Sequence, residues 1–237
     1  VTPTDYIFPT FLFIVGVSIV LSFTKQLELG KNRTELTKKV FIRALKIYSV
    51  GIFLWLWPSF NFDGIRWVGV LPRIAFVFLG CALLFLYTSR KVQIYIGIAI
   101  LLFYWIIMAY IPVPGIGIPD LSVPEKNWAH FIDKLFLPGR LWKQTWDPEG
   151  ILSTLPSIAS GIMGMMSGYI LLKKEELGNK INQLFFFGFL LLFLGDIMQW
   201  VFPLNKNLWS SSFSLLMGGI CLLYTSDAAD ERHGVCR

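Results

Sequence analysis

The sequence predicts an all-α, polytopic membrane bundle, and three observations carry that prediction. Only 15% of the 237 residues are charged and 55% are hydrophobic, whereas a soluble domain carries about 25% charged residues. Apolar runs long enough to cross a bilayer, about 20 residues each, recur along the chain. The short segments between them alternate between basic and weakly charged, as in a chain threaded back and forth through a membrane. The net charge of +6 then reflects positive cytoplasmic loops, and nucleic acid is not an expected partner.

The first run, 6–23, follows "VTPTDYIFP". This start has no initiator Met and no basic leader, so it is not a signal peptide and looks like a cut end. Asp5 stands just ahead of the run. An acid there caps the first turn and meets the positive end of the helix dipole, and a role in a site is equally open. Pro9 is tolerated because first-turn amides are unpaired in any case. The segment 24–39 is strongly basic, with Lys25, Lys31, Arg33, Lys38 and Lys39. It is followed by the second run, 40–57. Lys39, Arg43 and Lys46 recur at helical spacing. They are either ordinary topology charge or a clamp for the phosphates of a cytosolic donor.

The third run, 68–87, is bracketed by Arg66 and Arg73. An arginine one turn inside a span costs about 2.5–3.5 kcal/mol unless it is paired or snorkels, so Arg73 is either a snorkelling side chain or half of an ion pair. Cys81 lies in "VFLGCALLF" as a small apolar residue. Arg90 and Lys91 precede the fourth run, 92–110. The loop 111–150 is the only long one, mixing four bases with five acids, and a loop of that length is usually functional or has structure of its own. Within it "NWAHFIDKLFL" reads as an amphipathic surface helix, with His130 either an acid/base group or, more simply, part of its exposed polar face. Asp147 and Glu149 close the loop. They suit the dipole of the next helix, and two carboxylates also suit an amine or sugar hydroxyls.

The fifth run, 151–172, carries Gly161, Gly164 and Gly168 at helical spacing for close helix packing. Lys173, Lys174 and Lys180 precede the sixth, 181–202. In "FPLNKNLWSSSF", Asn205, Lys206 and Ser210 to Ser212 offer donors at the start of a seventh run. Trp55, Trp57, Trp105, Trp200 and Trp209 fall near run ends, as an interfacial belt does. The seventh run begins near Leu208 and stops at Ile220, where "CLLYTSDAADE" resembles the translation of a DNA-library adapter. The expected organisation is a partial membrane domain over 1–220 and a non-native tail over 221–237, with the helix breaking at the junction. That gives six complete spans plus a truncated seventh. The basic segments place the start and the long loop between spans four and five outside the cytoplasm. Without CxxC or a Cys/His cluster, no metal or redox site is expected.

Six stretches occur in order: "TDYIFPTFLFIVGVSI", "IRWVGVLPRIA", "IPVPG", "FIDKLFL", "WDPEGILSTL" and "PLNKNLWSSS". Together they resemble the transmembrane heparan-α-glucosaminide N-acetyltransferases of lysosomes and their bacterial homologues. The chain differs by Pro72, where that family usually has Gln, and by Val68, where it usually has proline. The resemblance implies an acetyltransferase of a bacterial inner membrane. Acetyl would pass from cytosolic acetyl-CoA to an amino sugar on the far side. It implies Asp5, Asp147 and Glu149 at the acceptor amine, and Arg66, Arg73, Asn205, Lys206 and Trp209 around the substrate. Lys39, Arg43 and Lys46 would meet the CoA phosphates. The family's histidine base is expected before Val1, so the chain is expected to be inactive by itself. A sugar or lipid transporter, or a non-catalytic protein on the same scaffold, is the alternative. Membrane lipid is an expected partner and a homodimer is left open.

Overall fold

The computed structural model describes residues 3–62 and 64–234. A 3-10 turn, Pro3–Tyr6, leads into α1 (Ile7–Glu28). There follow α2 (Arg33–Leu56), α3 (Val70–Tyr87), α4 (Arg90–Tyr110), the short α5 (Trp128–Phe136), α6 (Ile151–Leu171), α7 (Leu177–Met198) and α8 (Ser211–Gly234). Among the described residues the only β-pairing is an isolated bridge between Val113 and Gly117.

Among the described residues five helices, α1, α3, α4, α6 and α7, are long and apolar enough to cross a membrane. The expected second and seventh spans differ in chemistry. α2 holds its apolar run but carries Arg43 and Lys46 near its middle. α8 does not break at Cys221 and runs on to Gly234. The segment "TSDAADERH" contains neither Gly nor Pro and is rich in tolerable helix formers. Its polarity ends an apolar run but does not end a helix.

α6 is the axis of the bundle. It touches α1, α3, α4, α5, α7 and α8, and 67% of its apolar window is buried, against 17% for α7. Its small residues make this possible. A Cβ on Gly16 of α1 would stand 2.0 Å from the Gly161 carbonyl oxygen, and one on Gly164 would stand 2.0 Å from that of Phe13. The two backbones are therefore in direct contact, as in small-residue membrane packing. Leu12, Val77, Cys81 and Met165 fill the space between α1, α3 and α6. The outer faces are apolar and open: Phe185, Phe186, Phe189 and Phe193 of α7 and Ile98, Leu102 and Ile106 of α4 are exposed. Such faces suit lipid.

α5 lies across the end of the bundle where α6 begins. Asn127 caps it, its side-chain oxygen accepting from the His130 amide at 3.0 Å. Its buried face is Ala129, His130 and Asp133. His130 is therefore not on an exposed polar face: it is buried, and Leu135 and Phe136 are exposed instead. Trp209 also departs from expectation, since it is 1% exposed and lies in the core rather than in an interfacial belt.

Candidate active site

Arg66, on the connection between α2 and α3, organises the site. Its Nε donates to Asp147 Oδ2 and its Nη2 to Asp147 Oδ1, both at 2.6 Å. Nη2 also donates to Glu149 Oε2. The guanidinium lies 5.0 Å from the Trp142 ring centroid. The Asp147 side chain is fully buried, at 0% exposure. Its oxygens accept two further amides, from Trp142 at 3.1 Å and Glu149 at 2.9 Å. Burying two charges costs several kcal/mol per ion, and only a fork-to-fork geometry with extra hydrogen bonds offsets that cost. Asp147 has both.

The electrostatics separate the two acids. Burial pushes the Asp147 carboxyl up, but the paired Arg66 guanidinium outweighs it and holds the group below the usual Asp range. Glu149 goes the other way. Burial raises it, and although Arg73 and Arg66 pull it down, the neighbouring Asp147 charge adds to the rise. Arg66 is raised, because the two carboxylates overcome its own desolvation. One acid is thus a fixed counter-charge, and the other is the more easily protonated member of the pair.

Arg73, in the first turn of α3, does not snorkel. It is 1% exposed. Its Nη2 donates to the Pro148 carbonyl at 2.9 Å, more weakly to Gly150 O at 3.4 Å, and to Ser153 Oγ. Pro72 leaves the helix intact, since the Arg73 amide still bonds to Gly69 O at 2.9 Å and a proline is tolerated in a first turn. Arg73 Nε and Nη1 are buried without a protein acceptor.

These groups surround a cavity of about 330 Å³. Arg66, Arg73 and Glu149 supply its charged wall, and Phe8, Trp142 and Trp209 its aromatic wall. Trp209 is locked in place: its Nε1 donates to Ser160 Oγ at 3.2 Å, and its ring packs edge-on against Phe8 and Phe213. Its backbone sits at φ 52°, a region that a bulky residue occupies only when its surroundings impose it. At the mouth, Lys206 pairs with Asp5 at 2.8 Å.

Six of the residues expected from the sequence therefore converge: Arg66, Arg73, Asp147, Glu149, Lys206 and Trp209, with Asp5 reaching the cavity through Lys206. Asn205 does not join them. Its side-chain oxygen caps the Asn207 and Leu208 amides at 2.9 and 3.2 Å, and the residue lines a second, smaller cavity. Lys39, Arg43 and Lys46 lie apart on the exposed face of α2. Lys39 pairs with Glu35 at 2.5 Å, and Arg43 stacks over Phe78 at 4.9 Å. Asp147 and Glu149 do not cap α6. That role falls to Asp133 of α5, whose Oδ1 accepts the Ile151 amide at 2.8 Å. Sequence reasoning missed Asp133. Its spacing of three from His130 and four from Ala129 puts it on the buried face of α5, and that spacing was the available signal. Among the described residues no group of His, Cys, Asp and Glu side chains converges in the way a metal ion requires.

The profile of the heparan-alpha-glucosaminide N-acetyltransferase catalytic family matches residues 2–206. The chain belongs to this family. Two heparan-alpha-glucosaminide N-acetyltransferases, from Mus musculus and Homo sapiens, are each 27% identical to it over 90% of its length. The chain spans 41% and 40% of those proteins, about two-fifths of their length. The family match covers Asp5, Arg66, Arg73, Asp147, Glu149 and Lys206, and ends just before Trp209.

Proposed function

We propose that this chain forms the acceptor half of a membrane acyltransferase that moves acetyl from cytosolic acetyl-CoA to an amino sugar on the opposite face. The observation that supports this reading best is the cavity between Glu149, the two buried arginines and the aromatic wall. A volume of about 330 Å³ lies in the range of small-ligand sites and suits one sugar unit. Trp142, which is exposed, offers a face for the ring, and Trp209 backs the aromatic wall. Glu149, with one edge toward the cavity, meets the ammonium.

An ammonium cannot attack a thioester, so it must first lose a proton. Glu149 holds it close, while Asp147 stays ionised and fixes Arg66. Arg73 has two donors open, and these suit the oxyanion that forms as the thioester carbonyl is attacked. On the other side, Lys39, Arg43 and Lys46 would draw the CoA phosphates to α2. The alternation of basic segments supports a cytoplasmic position for that side and an outer position for the cavity, and on this reading the membrane is a bacterial inner membrane.

The test is acetyl transfer across a bilayer. The full-length gene product goes into liposomes, with labelled acetyl-CoA outside and an amino sugar enclosed. Label on the enclosed sugar is expected, with loss of label in Glu149→Gln. If no enclosed amino sugar is ever labelled, the reading is wrong.

A further inference from the structure

The second cavity, about 160 Å³, lies between α5 and the 203–209 connection. Two of its lining side chains are incompletely satisfied. Asp133 is 1% exposed, and while its Oδ1 caps α6, its Oδ2 has no protein partner. His130, one turn earlier on α5, has Nδ1 buried without a partner. Capping α6 needs one oxygen, and an Asn would serve. The second oxygen is unexplained by the fold, because an unpaired buried carboxylate oxygen is costly. The backbone accommodates it: a Cβ on Gly150 would stand 1.9 Å from Oδ2. The cavity is polar, with Asn205 and Asn207 opposite. At about 30 Å³ per molecule it has room for several waters. It also abuts the first cavity, since Asn207 lines both.

We propose that Asp133 exchanges protons with the acceptor site. Its free oxygen takes up, through water in this cavity, the proton that the substrate ammonium releases next door, and His130 passes it outward. The proposal rests on the acyl-transfer reading above. Its balance is simple. One N–H bond of the ammonium breaks, and that proton passes from the base at the acceptor site, through water, to Asp133. The freed lone pair forms the C–N bond to the acetyl carbon. The C–S bond breaks with its electrons on sulfur, and the thiolate takes the second amine proton. One proton per turnover remains to be discharged.

The surroundings suit a group that gains and loses a proton near neutrality. Burial raises the Asp133 carboxyl to about 7; the Ile151 amide opposes this, Asp147 adds to it and Arg73 opposes it. Tyr104 of α4 also interacts with Asp133. His130 is pushed below its usual range by burial, with Glu125 and Lys134 acting in opposite senses. Lys206, on the 203–209 connection, lines the other cavity and pairs there with Asp5.

Infrared titration of the whole chain in lipid nanodiscs tests this without any substrate. A protonated-carboxyl band should titrate near pH 7, shift promptly in heavy water, and be absent from Asp133→Asn, which keeps the cap. If the band near pH 7 is unchanged in Asp133→Asn, or the band lost in that variant titrates in the ordinary Asp range or resists exchange, the proposal is overturned. In the full-length protein, Asp133→Asn should slow acetyl transfer at least about tenfold at neutral pH and remove the limb of the pH–rate profile near 7, and Asp133→Glu should restore part of it. An unchanged profile overturns Asp133's role alone. No acetyl transfer by the wild type overturns the acyl-transfer reading, and the proposal with it.

Discussion

Replacing Arg66 by Met is the sharpest perturbation of the site. The change removes both 2.6 Å bonds to Asp147 and leaves that side chain, 0% exposed, as an uncompensated charge. Breaking a buried pair of this kind costs about 3–5 kcal/mol. For a chain of this size each kcal/mol lowers Tm by about 2–4 °C, so the variant should melt about 6–20 °C below wild type. The partner change, Asp147→Leu, should be similarly harmful alone. The double variant should recover most of the loss, because a hydrophobic replacement of the whole pair avoids the desolvation cost. Thermal unfolding in detergent, followed by tryptophan fluorescence, measures all three. A loss below about 1 kcal/mol for Arg66→Met, the value of an exposed pair, or strict additivity in the cycle, would refute the claim that this is a buried, coupled pair.

Other perturbations follow the same logic. Asp133 has a folded-state pKa raised from 3.8 to about 7, so its contribution to stability is full below the unfolded value and is lost as pH rises to about 7. The slope is about 1.4 kcal/mol per pH unit in that window, and Tm measured against pH should flatten in Asp133→Asn. Gly164→Ala drives a methyl to within 2.0 Å of Phe13 O and should cost at least about 1–3 kcal/mol by separating α1 from α6, again read as Tm. Lys206→Ala removes a pair whose lysine is 42% exposed. It should change stability by less than about 1 kcal/mol while altering acceptor binding at the cavity mouth.

Much of this architecture was legible because membrane helices announce themselves by long apolar runs: each of the six complete runs overlaps one long helix, although most overrun its end by one to four residues and α2 is not among the five helices apolar enough to span. The charged cluster was legible only as a list. Arg66 and Asp147 are 81 residues apart, and nothing local says which acid a given arginine meets. Burial hides direction as well. The pattern of α5 is plainly amphipathic, but a nine-residue helix on a loop does not show whether its polar side chains face water or a neighbour. His130 and Asp133 turned out to be buried, Asp133 against the start of α6. Trp209 was misplaced for a related reason, since an aromatic residue at a helix start fits an interface or a core equally well. The continuation of α8 past Cys221 shows that loss of hydrophobicity marks the end of a span more reliably than the end of a helix.

Saturable binding of labelled glucosamine to the protein in nanodiscs tests the central claim, that the Arg66–Asp147–Glu149 cavity holds an amino sugar. The account predicts binding that unlabelled glucosamine displaces and N-acetylglucosamine, which has no ammonium, does not. Glu149→Gln should weaken it at least about tenfold, the loss of one charge-assisted hydrogen bond. Absence of saturable binding, or equal affinity in wild type and Glu149→Gln, would contradict it.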